Sequence, residues 1–128
     1  DNLKRITGAT LAALINGVYN HRYVIADCRF DYEFKAGHIA GAVHVGSHDD
    51  IETLFFNDPL AVMDGDTQPV VLVVHCEYSM IRGPTRAQQI RALDRQLHAD
   101  RYPYLRYTEV YVLDGGFVNF YKSYRGLC

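Results

Sequence analysis

Val70-Val71-Leu72-Val73-Val74-His75-Cys76-Glu77-Tyr78-Ser79-Met80-Ile81-Arg82-Gly83-Pro84 is the stretch from which the fold of this chain can be read. An apolar run of this length, almost all valine, suits a strand buried on both faces. Gly83-Pro84 opens the helix that follows. Cys76 and Arg82, with five residues between them, therefore occupy the loop joining strand to helix. In that layout the loop N–H groups turn inward, and the positive end of the helix faces whatever anion sits in the loop. The same field favours the thiolate of Cys76, which makes the thiol a strong nucleophile at neutral pH. Arg82 can hold two oxygens with its planar fork, a grip that lysine lacks. The loop is sized for a tetrahedral oxyanion such as phosphate or arsenate. The competing reading of Cys76 is a structural thiol at a strand end, since cysteine packs as a small hydrophobe. The preceding strand, Ser79 within the loop and Gly-Pro after it favour the nucleophile.

Working outward, strands and helices alternate. Residues 4–6 read as a short strand, and Thr7 as the N-cap of a helix over 9–19 with Leu11, Leu14, Ile15 and Val18 on one face. Residues 23–26 form a buried strand with Asp27-Cys28-Arg29 at its carboxyl end. A helical turn over 31–36 precedes the Gly37-His38 break, and residues 42–45 make another strand. Loop is expected over 46–49, a helix over 51–57, and a polar connection through Asp58-Pro59 and Gly65-Asp66. After the strand 70–74, a helix over 84–98 packs through Ala87, Ile90, Leu93 and Leu97. The last strand, 110–113, is closed by Gly115-Gly116 before a helix over 117–124. This order predicts an α/β fold of three layers: a mostly parallel five-stranded sheet with helices on both faces. Ligands of such sheets bind beyond the carboxyl ends of the strands, which brings Cys28 and Cys76 together.

Composition narrows the function classes. A chain of 128 residues, 48% hydrophobic and 22% charged, is one globular domain, residues 1–128. A formal net charge of −2 argues against a general nucleic-acid binder. No stretch has the apolar length of a membrane span, and no signal-peptide pattern opens the chain. Because it begins at Asp1 rather than Met, it is expected to be part of a longer chain. Three widely spaced cysteines do not make a secreted disulfide framework, so a reducing compartment is expected. His38, His44 and His48 cluster in sequence, but no cysteine or carboxylate spacing completes a tetrahedral metal site. His38 is read as stabilising the Gly-His-Ile turn, and His75 as orienting the loop or modulating the thiolate. No glycine-rich nucleotide fingerprint is present, and no cofactor is expected.

Three segments carry a family resemblance. Ile25-Ala26-Asp27-Cys28-Arg29-Phe30-Asp31-Tyr32-Glu33-Phe34 with Gly37-His38-Ile39 resembles the early signature of the M-phase inducer phosphatases. These are dual-specificity phosphatases that activate cyclin-dependent kinases. His75-Cys76-Glu77-Tyr78-Ser79 with Arg82-Gly83-Pro84 resembles their active-site loop, and Tyr111-Val112-Leu113-Asp114-Gly115-Gly116-Phe117 their closing strand and turn. The likeness runs from Asn2 to Cys128. Gly37-His38-Ile39-Ala40-Gly41-Ala42 alone would mark only a rhodanese-like fold.

The resemblance implies a rhodanese-like domain in which Cys76 forms a cysteinyl-phosphate that water then hydrolyses. The loop of Glu77, Tyr78, Ser79, Met80 and Ile81, with Arg82, would hold the phosphate oxygens. Rhodanese-type sulfurtransferases usually carry a loop one residue shorter. The general acid is open between Glu33, Glu77 and the substrate itself, since Ile81 stands where the family usually has Glu; Met80 likewise replaces a usual Ser. Glu33 also reads as a helix-surface charge, and Glu77 as an anchor that orients the loop. The resemblance further implies a redox disulfide between Cys28 and Cys76. It also implies that Arg91, Arg95 and Tyr102 dock a phosphorylated cyclin-dependent kinase–cyclin complex, although the chain has two extra residues around 97–100 and Arg91 can instead pair with Asp94 on a solvated face. A monomer in nucleus and cytoplasm, without nucleic-acid or membrane partners, is expected. Two other functions remain open: an arsenate or antimonate reductase of the same fold, and a non-catalytic binding module, against which the intact Cys76 and Arg82 argue.

Overall fold

The computed structural model describes residues 4–19, 22–46, 70–77, 82–97 and 109–128, with backbone alone for 82, 83 and 94–97. The valine run forms the central strand, β4 (Val71–His75). It lies between β2 (Tyr23–Asp27) and β5 (Glu109–Leu113); β1 (Lys4–Ile6) and β3 (Val43–His44) form the edges. The order is β1-β5-β4-β2-β3, and every pairing is parallel. Flanked by strands on both sides, β4 must be apolar on both faces, which is why it shows no alternation.

Side-chain alternation divides the core in two. Leu72 and Val74 of β4 face the same side as Ala26, Cys28, Val110 and Val112, where Ala87 and Ile90 of α3 (Arg82–Leu97) cover them. Val73 faces the other side with Ile25 and Leu113. There it meets Leu11, Ala12 and Leu14 of α1 (Gly8–Ile15) and Phe120 of α4 (Gly116–Ser123). Helices thus cover both faces of a five-stranded parallel sheet, as the sequence predicts.

Boundaries depart from expectation where local chemistry overrides apolar spacing. Thr7 caps α1 through its side chain, accepting from the Thr10 N–H at 3.2 Å, as expected. The helix nevertheless ends at Ile15 rather than Tyr19. Asn16 closes it and Gly17 takes a left-handed φ of 80°, leaving Val18 70% exposed although its spacing fits the buried stripe. β2 and β4 each run one residue further, through Asp27 and His75, because the ladder pairs these polar residues directly. β3 is shorter than the expected 42–45. α3 begins at Arg82, which leaves Pro84 inside the first turn, where its missing N–H costs nothing. The short α2 (Asp31–Ala36) matches, and a 3₁₀ turn at Arg125–Leu127, not anticipated, accepts the Ala40 N–H at Leu127 O, 2.7 Å. The helix expected over 51–57 and the turns at 58–59 and 65–66 lie outside the described residues.

Candidate active site

The sheet register places the two cysteines of interest side by side. Asp27 pairs with His75, and one step later the Cys28 N–H donates to His75 O at 2.7 Å. Parallel strands lie about 4.8 Å apart. Cys28 and Cys76 each stand one residue beyond that last pair, at the carboxyl ends of neighbouring strands. Both are buried, and no disulfide joins them. Among the described residues, a cleft of about 380 Å³ opens on the α3 side, lined by Cys28, Phe30, Thr85, Arg86 and Gln89. Along the α3 wall Arg86 donates to Gln89 Oε1 at 2.8 Å.

Alternation sends the charged residues of the same strand ends to the opposite face. Asp27 and Arg29 are almost fully buried, 0% and 4% exposed. The Arg29 Nε donates to both Asp27 oxygens at 3.0 Å, and its Nη2 to Oδ2 at 2.8 Å. Nη2 also donates to Gly37 O at 2.6 Å, the guanidinium lies 4.0 Å from the centre of the Phe117 ring, and Nη1 stands 3.6 Å from Glu77 Oε1. Burial pushes the Asp27 carboxyl up, but the hydrogen bonds of Arg29 and the nearby His75 outweigh it and hold the group below its ordinary value. Burial pulls Arg29 down, and Asp27 more than offsets that, so the guanidinium stays charged.

His75 is fully buried beneath the cysteine. Its Nδ1 donates to Cys76 O at 3.0 Å, while Nε2 has no hydrogen-bond partner among the described residues and lies 3.9 Å from Asp27 Oδ2. Burial is the largest influence on the ring and holds its pKa below the ordinary value, so the imidazole is neutral. It anchors the carbonyl of the cysteine, in keeping with the orienting role expected for it.

A third support comes from α4. Phe117 N–H donates to Cys76 O at 3.0 Å, and Val118 N–H to Glu77 O at 3.1 Å. Two of the orphan donors of the α4 N-terminus are thereby satisfied by the start of the cysteine loop. Because a trans peptide sets C=O and N–H on opposite sides, this orientation turns the Glu77 N–H away from α4. The approach depends on Gly116. A Cβ there would collide with the Glu77 carbonyl and stand 2.8 Å from Cys76 O, and its φ is +64°.

The remaining expected residues separate. Glu33 caps α2 by accepting the Phe30 N–H at 2.8 Å, a partly buried position at the helix start. Arg82 is the first residue of α3; Arg91 and Arg95 lie one turn apart further along it. Tyr78, Ser79, Met80, Ile81, Tyr102 and His48 lie outside the described residues. His38 Nδ1 donates to Phe34 O at 2.9 Å and stacks on the Phe34 ring, so it does secure its turn. His44 Nε2 donates to Arg29 O at 2.8 Å. From the sequence Gly116 reads only as part of the turn closing the last strand, and Arg29 has no role at the site. The signals were present: an arginine two residues beyond a buried aspartate, and a Gly-Gly pair directly after a strand.

Comparison with known proteins agrees with this architecture. The model of the rhodanese-like domain matches residues 9–123. The chain belongs to that family. It is 41% identical to the M-phase inducer phosphatase of Schizosaccharomyces pombe over 131 aligned positions, covering 100% of this chain and 21% of that protein. The M-phase inducer phosphatase of Emericella nidulans is 40% identical, with 100% and 22% covered. The rhodanese-like domain described here thus spans about a fifth of the length of these curated relatives. Among solved structures, a yeast protein tyrosine phosphatase of the rhodanese family superposes with a TM-score of 0.73 at 19% identity, over 97% of this chain and 88% of that one, a likeness of fold.

Proposed function

We propose that this domain is a cysteine-dependent dual-specificity protein phosphatase that removes phosphate from Tyr and Thr of a cyclin-dependent kinase bound to its cyclin. The observation that carries the reading is Cys76. It is buried at the carboxyl end of the central strand, its carbonyl is held by His75 and α4, and it stands just ahead of the segment that reaches Arg82 at the start of α3. Similarity over the whole of this chain, and about a fifth of each relative, to M-phase inducer phosphatases supports the substrate class.

The Cys76 thiolate attacks phosphorus, the bond to the substrate oxygen breaks, and a cysteinyl-phosphate forms. Loop N–H groups of residues 77–82 and the Arg82 guanidinium stabilise the equatorial oxygens. Water then attacks phosphorus and releases the thiolate and inorganic phosphate. Glu33 and Glu77 are both engaged by donors, Phe30 N–H and Arg29. In this reading the leaving oxygen takes its proton from the substrate monoanion rather than from either glutamate. Arg91, Arg95 and Tyr102 dock the kinase, and the enzyme works in nucleus and cytoplasm. Peroxide would oxidise the Cys76 thiolate to a sulfenic acid; the Cys28 thiol displaces its hydroxyl as water, leaving a disulfide that a dithiol reductant reopens. A linked Cys28–Cys76 peptide after peroxide treatment is the expected product, and its absence while activity is lost sinks that step.

Phosphate release from an aryl phosphate under reducing conditions tests the main reading. Cys76→Ser should lower it by roughly 10³-fold or more. Retained release would exclude the cysteinyl route. A folded wild type that reduces arsenate with a thiol but releases no phosphate would favour the reductase, which Ile81 keeps in view. With a phosphorylated kinase as substrate, Arg95→Ala should lower turnover while sparing the aryl phosphate; equal loss on both would remove the docking role.

A further inference from the structure

Asp27, Gly37 O and Phe117 hold Arg29 so completely that the direction of its remaining nitrogen is fixed, and Glu77 lies in that direction. Nε and Nη2 face Asp27, Nη2 also reaches Gly37 O, and the guanidinium plane rests on the Phe117 ring. A guanidinium is planar and rigid, so fixing two of its nitrogens and one face fixes the third nitrogen. Nη1 is thereby aimed at Glu77 Oε1, 3.6 Å away, in a pair whose arginine side is 3% exposed and whose glutamate side is 30% exposed. Glu77 directly follows the nucleophile, and its carbonyl is already held by Val118 N–H. Phe117 serves both supports: its ring lies under Arg29 and its N–H holds Cys76 O.

We infer that Arg29 is a positioning residue. Through the Glu77 carboxylate it sets the direction in which the chain leaves Cys76, and so where the segment after the nucleophile begins relative to the Cys76 sulfur. Glu77 is then an anchor rather than the proton donor. The buried Asp27–Arg29 pair is coupled to the site through that one side chain and through Phe117. Lysine cannot replace Arg29, because its one nitrogen cannot stand at the three separate positions from which Nε, Nη2 and Nη1 meet Asp27, Gly37 O and Glu77. The turnover readout of this inference rests on the phosphatase reading; its binding readout does not.

The test is a double-mutant cycle on the domain with Arg29→Lys and Glu77→Gln, followed by orthovanadate affinity and by kcat/KM on an aryl phosphate, with thermal unfolding measured in parallel. Each single change should weaken vanadate binding and lower kcat/KM about tenfold or more. The double variant should be no worse than the poorer single within about twofold, since both remove one contact. Losses that multiply, or an Arg29→Lys protein that loses thermal stability but keeps vanadate affinity, would overturn the inference. If Arg29→Lys does not fold, Glu77→Gln decides alone. The inference requires weaker vanadate with an unchanged basic limb in the kcat–pH profile. Loss of that limb would identify Glu77 as the acid and refute the anchor. Normal vanadate binding changes without any aryl phosphate turnover would count against the phosphatase, not against Arg29.

Discussion

At the carboxyl edge of the sheet, the face toward α3 and the face toward α4 are built from alternate residues of the same two strand ends. Toward α3, Ala26 and Cys28 pack with Val74 and Leu72 under Ala87 and Ile90, an apolar layer that ends at the Cys28 thiol. Toward α4, Asp27 and His75 follow Ile25 and Val73, and Arg29 joins them over Phe117. A thiol packs as a small hydrophobe, so Cys28 fits this layer without disturbing its apolar character. Buried charge is tolerated only in fixed geometry, so the opposite layer is the more exacting of the two. The contrast teaches that position is supplied from the face that carries no nucleophile.

Asp27→Ala tests this most severely. It strips the buried Arg29 of its main counter-charge and leaves only the longer contact to Glu77, and breaking such a pair costs about 3–5 kcal/mol. Ile90→Ala, which opens a cavity in the α3 layer, should cost about 3 kcal/mol. Chemical unfolding of both variants at neutral pH orders them, and a milder effect for Asp27→Ala than for Ile90→Ala would break the contrast.

Acid should erode the charged face first. His75 titrates below its ordinary 6.5 in the fold, so under that pH the unfolded chain binds a proton that the folded chain refuses. Its contribution is present above 6.5 and is lost as the pH falls. Asp27 titrates below its ordinary 3.8, so its contribution persists until the medium is more acidic than that and then disappears. Unfolding free energy should therefore decline from about pH 6.5 downward, by up to about 1.4 kcal/mol per pH unit from one group. His75→Gln should flatten that decline between about pH 6.5 and pH 5, while Asp27 remains ionised. An unchanged slope in the variant would mean that His75 accepts its proton in the folded state.

The sequence made the apolar layer far more legible than the charged one. Val70 to Val74 announced a doubly covered strand, the spacing of Ala87, Ile90 and Leu93 announced α3, and the strand–helix alternation carried the parallel sheet. Cys28 and Cys76 could be brought together because both end strands. The layer built on Arg29 was not legible for a physical reason: a charged residue just past a strand end is usually solvated, and nothing local says that Gly37 O, Phe117 and Glu77 will converge on it. The overrun of α1 past Asn16-Gly17 has the opposite origin. There the local stop signal of Asn16-Gly17 is legible and outweighs the apolar spacing of Val18, which is left exposed.

Gly116→Ala gives the finest test, because it perturbs the charged face without touching a charge. The substitution forces a Cβ into a left-handed conformation, which costs about 1–2 kcal/mol, and drives it against the Glu77 carbonyl. Relief is available only if the α4 N-terminus backs away, and that motion carries Phe117 off both Cys76 O and Arg29. The stability loss should therefore stay modest while turnover falls disproportionately, by roughly tenfold, since an ångström at a reacting centre matters more than the strain that moves it. Gly115→Ala is the natural control. It shares the left-handed backbone, and its Cβ would meet the Asn119 side chain rather than the loop. Stability should fall there as well, but turnover should not follow. Equal kinetic losses at the two glycines would mean that the turn, and not its contact with the cysteine loop, is what the site requires.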